Sequence, residues 1–286
     1  MNDFWIILTG ILVVASTGTL GCFLVLRKMT MVGDAISHAV LPGIVITYLL
    51  SGERNSFFMI IGAGLIGLLT TFLIEFLHKK GQVQEDASIG ITFTSFFALG
   101  VILISYFAGN VDLDQDCVLY GEIAYITLDP MLIGGVEYGP RAVWLLATVF
   151  LIVIFVVYIG FRSLKVTTFD PSYAASIGIS ATLWHYILMS LVSLTTVASF
   201  ESVGAILVVA FLTVPPATAY LLTENLKRML LLSILFGVLA SVSGYYLAEL
   251  SNGSIAGAMA TASGFIFAVV FLAKKMHTQY YRGQHA

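Results

Sequence analysis

The chain has 286 residues, 59% of them hydrophobic and only 10% charged, with a formal net charge of -3 and a mean hydropathy of +0.98. A soluble domain carries about a quarter charged residues, so this composition excludes a water-soluble enzyme or binding module and points to an integral membrane protein with the lipid bilayer as its solvent. No nucleic-acid partner is expected, and with so few charges their placement says more than their sum.

A span needs about 20 apolar residues, and such runs fall at 5–26, 34–50, 57–77, 87–107, 142–161, 182–200, 202–222, 229–249 and 255–273. Long continuous runs rather than ten-residue alternations predict helices and not a barrel. The first run follows Met1-Asn2-Asp3, which lacks the basic segment and small-residue cleavage site of a removed leader, so this span is expected to stay. Cys22 near its end and Cys117 in a later polar loop on the other side do not make a disulfide framework, and both read as structural.

The second run is short and interrupted by Pro42-Gly43. It carries Asp34 and His38 four residues apart, hence on one helix face, with Ser37 beside them. A hard oxygen and a borderline nitrogen suit a divalent ion such as Mn²⁺, Zn²⁺ or Fe²⁺, and ionisable groups within a span default to a functional reading. Alternatively Asp34 only caps the helix, although a cap leaves His38 one turn deeper unexplained. Two side chains do not fill a divalent shell, and a second copy of the chain would supply the rest along with water.

In the third run Gly62-Ala63-Gly64-Leu65-Ile66-Gly67 spells GxGxxG without a preceding strand or a following acid, so close helix packing explains it better than a dinucleotide site. Glu75 with Lys79 at i+4 reads as a salt bridge at the helix end. The segment 108–140 carries Asp112, Asp114, Asp116, Glu122, Asp129 and Glu137 and reads as a solvated outer cap, with a cation-attracting antechamber as the alternative. The polar stretch 162–181 contains Asp170 as helix cap, Pro171 at the first helical position and Gly178 as stop, which predicts a short helix between two spans.

His185, next to Trp184 at the start of the sixth run, reads as an interfacial histidine. The sixth and seventh runs are separated only by Phe200-Glu201-Ser202. Glu201 lies either in a tight external turn or at an outer gate as a metal ligand. Met29, Met31, Met189 and Met259 are scattered, which argues against copper(I). With the N-terminus outside, Arg27, Lys28, Lys79, Lys80, Arg162, Lys165, Lys227, Arg228, Lys274, Lys275 and Arg282 face the cytoplasm, and only Arg54 and Arg141 do not. That is the positive-inside asymmetry of an inner-membrane protein. The predicted fold is all-α: one polytopic transmembrane domain over 1–286 with about nine spans (eight or nine), N-terminus outside and C-terminus cytoplasmic. The chain has no phosphate loop of its own, so ATP hydrolysis by the usual P-loop chemistry is not expected from it.

Gly33 to Gly43, Phe169 to Ile179, and Val203 to Ala210 leading to Pro215-Pro216-Ala217-Thr218-Ala219 resemble the membrane permeases of manganese/zinc/iron ATP-binding-cassette importers. Glu85 to Gly90 and Asp112 to Ile123 are similar to that family too, and the resemblance covers roughly residues 15 to 272. It implies a homodimer working with a cytoplasmic ATP-binding-cassette ATPase dimer and an extracytoplasmic metal-binding protein. ATP is then held by the partner, the metal ion is cargo, and no cofactor is bound permanently. It also implies Asp34 and His38 as pathway ligands, with Ser37 on the path, and Phe169, Asp170, Pro171, Ala174 and Gly178 as a helix coupled to the ATPase. Pro216 departs from the family pattern, where alanine is expected, and puts the packing there in question. The function implied is an alternating-access importer of divalent metal, manganese first, with zinc or iron as alternatives. An ion-coupled secondary transporter is the rival reading, since broken helices also suit that class. A membrane-embedded enzyme ranks far behind, because no His-Glu-x-x-His run is present.

Overall fold

A helix that is apolar on every side can face lipid or other helices, and the first helix, α1 (Asn2–Arg27), is mostly enclosed by other helices. In a computed structural model, which describes residues 2–51, 56–107, 123–133 and 136–283, α1 is packed by α6 (Arg141–Phe169), α8 (Ala181–Val203), α9 (Ala205–Leu222) and α10 (Leu226–Ser251). Its buried Ser16, Thr17 and Thr19 each donate to the carbonyl four residues back, at 2.9, 2.8 and 2.6 Å. Those bonds offset the cost of placing hydroxyls in an apolar core. A second group, α2 (Thr30–Ala39), α3 (Leu41–Ser51), α4 (Ser56–Lys79) and α5 (Glu85–Phe107), packs mutually. Helix α8 joins the two groups by touching α1, α2, α4 and α6, and α11 (Ile255–Gly283) closes against α9 and α10.

Among the described residues nine segments are long and apolar enough to cross a membrane, with α2 and α3 together as one. They correspond to the nine predicted runs, and the fold is the predicted helical bundle. Its one departure among the described residues is a small antiparallel hairpin, β1 (Pro130–Ile133) and β2 (Val136–Pro140), which follows a 3₁₀ turn at Ile123–Leu128. This hairpin lies in the segment read from sequence as a solvated cap. Asp129 and Glu137 are exposed, whereas Asp112, Asp114, Asp116, Cys117 and Glu122 lie outside the described residues.

Several boundaries differ from the sequence reading. The second span starts at Thr30 rather than 34 and breaks at Val40 rather than at Pro42-Gly43. Proline fits the first turn of a helix, where its missing N–H has no partner to lose, so the break falls just before Pro42. The sixth and seventh spans part at Gly204 rather than at 200–202, with φ 78° and ψ 163° there, a conformation nearly restricted to glycine. The fifth span does not stop at 161: α6 runs on for 29 residues to Phe169. At 1.5 Å per residue that is about 43 Å, longer than a span along the normal of a ~30 Å hydrocarbon core requires.

Asp170 then ends α6 and starts α7 (Pro171–Ser176), its side chain accepting from the Tyr173 N–H at 2.8 Å. At the far end Gly178 has φ 80°; its N–H donates to Ala175 O at 3.1 Å and that of Ile179 to Ala174 O at 2.9 Å. Those paired bonds form a Schellman stop, so the cap, proline and glycine act locally as their positions in the sequence suggest. The GxGxxG run packs helices at two of its three glycines. A Cβ on Gly62 meets Thr47 Oγ1 at 1.8 Å and one on Gly67 meets Ser193 Oγ at 2.1 Å, while Gly64 has nothing within 4 Å.

Candidate metal site

Asp34 does not cap α2. The N-cap position is held by Met29, with no side-chain hydrogen bond there, so Asp34 sits in the second turn of the helix. His38 follows one turn on, its Nε2 3.7 Å from Asp34 Oδ1, and the two side chains are 33% and 37% exposed respectively. Two ligand atoms that far apart can share one ion about 2.1 Å from each at an angle of about 120°.

The walls of this face are apolar. Phe93 and Phe97 of α5 approach the imidazole with ring centroids 5.9 and 6.2 Å away, the second edge-on, and apolar walls strengthen the field of a carboxylate. Ser37 is buried, and its hydroxyl donates to Asp34 O at 2.6 Å and to Gly33 O at 3.3 Å. Gly33 lets α2 approach α9, since a Cβ there meets Leu212 Cδ2 at 2.1 Å. Pro42 offers no N–H to the carbonyl of His38, which therefore lacks its ordinary helical donor. Among the described residues no group of three or more His, Cys, Asp or Glu gathers, so Asp34 and His38 face each other without a third such group beside them there.

The other residues singled out by sequence lie elsewhere. Glu201 is in the last turn of α8, and its side chain lies outside the described residues. Ala174 is fully buried and fixes α7 to the bundle, which it joins through contacts with α6 and α8. Phe169, Tyr173 and Ile177, four residues apart, are 56%, 56% and 49% exposed. Glu75 pairs with Lys79 as its spacing suggests. His185, near the start of α8, faces Glu75, with Nε2 3.7 Å from Oε2, and is half-buried beside Arg27. The phenylalanine walls were not singled out from sequence, because nothing local distinguishes Phe93 and Phe97 from the many aromatics facing lipid.

The ABC 3 transport family matches residues 4–275 of the chain. The chain belongs to that family. The manganese transport system membrane protein MntD of Bacillus subtilis is 51% identical over 270 residues, 94% of this chain and 91% of that protein. The zinc transport system membrane protein TroD of Treponema pallidum is 44% identical over 272 residues, 95% of this chain and 74% of that one. Among solved structures, PsaBC from Streptococcus pneumoniae in complex with Fab superposes with a TM-score of 0.77 at 34% identity, covering 93% of this chain and 90% of that chain. Family membership and the nine apolar segments make this a multi-pass permease of the inner membrane.

Proposed function

We propose that this ABC 3 permease carries a divalent transition metal ion inward, manganese first, with zinc or iron as alternatives. Asp34 and His38 would be its pathway ligands. The observation that carries this reading is the placement of that pair: one carboxylate and one imidazole, uncapped and partly open on one face of α2, in a chain half identical to a manganese transport protein. In a two-fold dimer the same face of a second copy supplies another Asp34 and His38, completing four protein ligands around the cargo. Weak ligation is appropriate there, because an ion on a pathway must also leave. Ser37 would act through the backbone it binds, and Glu201 would be an outer ligand. The whole chain serves as one permease domain.

Energy would come from a cytoplasmic ATPase dimer holding ATP, and cargo from an extracytoplasmic metal-binding protein. The exposed Phe169–Tyr173–Ile177 stripe beside the capped α7 supports this reading, since apolar groups projecting beyond the bilayer mark a partner surface. Replacing Phe169 and Tyr173 by serine is expected to weaken ATPase binding by about tenfold or more, measured by titrating the purified ATPase onto the permease in nanodiscs. Permease abundance should be unchanged.

The deciding experiment is uptake of radiolabelled manganese and zinc into proteoliposomes holding the permease with its ATPase and binding protein. Uptake that needs hydrolysable ATP and survives collapse of the proton and sodium gradients supports the reading. Gradient-driven uptake without the ATPase overturns it in favour of a secondary transporter.

A further inference from the structure

A cavity of about 440 Å³ lies at the end of the bundle that carries α7, lined by Arg27, Glu75, Thr167, Thr168, Pro171 and His185 among others. A chain of polar groups crosses it. Arg27 donates from Nε to Thr168 Oγ1 at 3.0 Å and from one terminal nitrogen to Thr167 Oγ1 at 3.1 Å. Its other terminal nitrogen lies 3.5 Å from His185 Nδ1. His185 Nε2 in turn faces Glu75 Oε2 at 3.7 Å, and the second carboxylate oxygen of Glu75 accepts from Lys79.

Arginine has only donors, so the facing Nδ1 acts as acceptor and the ring proton belongs on Nε2, toward Glu75. Among the described residues, His185 Nε2 and Glu75 Oε2 are both buried without a hydrogen-bond partner. Such unmade bonds are costly where water does not reach them, so a small displacement that closes the gap is favoured. The same arrangement makes a poor cation site, since Arg27 and Lys79 flank it and Nε2 carries its proton.

The polar groups are drawn from four helices. Thr167 and Thr168 are in the last turn of α6, immediately before the Asp170 cap of α7. Arg27 ends α1, His185 is on α8 and Glu75 on α4, while α4 and α8 both pack against α2. We propose that Arg27, His185 and Glu75 are positioning residues that pass movement of α7 to the helix bearing Asp34 and His38. This inference rests on the ATP-driven reading given above. When α7 shifts, the last turn of α6 draws Arg27 with it, and the His185–Glu75 gap between α8 and α4 opens or closes.

The test measures ATP hydrolysis and metal moved per ATP in proteoliposomes holding permease, ATPase and binding protein. His185→Leu, and separately the near-isosteric pair Thr167→Val with Thr168→Val, are expected to keep basal hydrolysis within about twofold and to lower metal per ATP about fivefold or more. His185→Gln can accept at one end and donate at the other, and is expected to stay within about twofold of wild type. An unchanged ratio in the leucine and threonine variants overturns the proposal, as does hydrolysis falling in step with transport, which marks mere structural support. A glutamine variant as defective as leucine also overturns it and points to a proton or metal held by the ring. If His185→Leu does not assemble, the threonine pair and the glutamine variant decide. Wild-type uptake that ignores ATP sinks the functional reading and this one together, whereas ATP-driven wild-type uptake with unchanged variants sinks this one alone.

Discussion

Asp34→Asn and His38→Ala are each expected to lower ATP-driven metal uptake by about 100-fold or more while leaving the permease in the membrane at its normal level. Loss of an outer-shell partner alone typically costs a metal site 10–100-fold, and these are the proposed ligands themselves. In a two-fold dimer every substitution counts twice. The fold should not suffer, because Asp34 caps nothing and both side chains are partly open, 37% and 33% exposed. Asparagine keeps the shape of Asp34 and removes its charge, so its effect reports the loss of a hard anionic ligand rather than of volume. Uptake of both radiolabelled metals at matched membrane abundance checks this. Uptake within a few fold of wild type in both variants would place the cargo path elsewhere, with Glu201 as the next residue to substitute.

The helices were legible because apolar runs of span length have few alternatives in a chain so poor in charge, and eleven basic residues on one side fixed the orientation expected of them. The Asp34–His38 pair was legible because i and i+4 meet on a helix whatever surrounds it. Features created between helices were not. His185 and Glu75 are 110 positions apart, and only the α4–α8 packing makes them neighbours. The turn at Gly204 was misplaced by a few residues because apolar composition runs straight through it, and only the backbone φ of 78° sets the corner. The start of α2 at Thr30 is not legible because only Met31 and Val32 are apolar between the basic Arg27-Lys28 and Gly33-Asp34, too short a run to read as part of a span, yet Thr30 to Gly33 are helical. Pro216 departs from the family pattern, and the structure shows what accommodates it.

That accommodation makes Gly21→Ala the substitution expected to damage the fold most. A Cβ on Gly21 falls 2.0 Å from Leu212 O and 2.8 Å from Pro216 Cγ, so α1 and α9 cross with backbone against backbone. Pro216 has no N–H, which leaves the Leu212 carbonyl without its usual helical donor, and it is this carbonyl that Gly21 faces. Overpacking a buried site costs about 1–3 kcal/mol and sometimes more, and here the obstacle is main chain, which cannot rotate aside. The central position of α1, packed by four helices, gives the displacement no free side to take. The side chain of the same Leu212 abuts Gly33, next to Asp34, so a shift of α9 moves the face that carries Asp34 as well. Gly21→Ala is therefore expected to lower the midpoint of thermal unfolding in detergent by about 5 °C or more and to depress uptake beyond the loss of protein. Gly64→Ala is the control: it has nothing within 4 Å and should be neutral or slightly stabilising, since alanine favours a helix over glycine by about 1 kcal/mol. Adding Pro216→Ala to Gly21→Ala removes the contact with Cγ and restores a donor to Leu212, but leaves the 2.0 Å overlap with its oxygen. The double variant should accordingly recover only part of the loss, and full recovery would mean that the proline ring rather than the helix backbone sets the distance between α1 and α9.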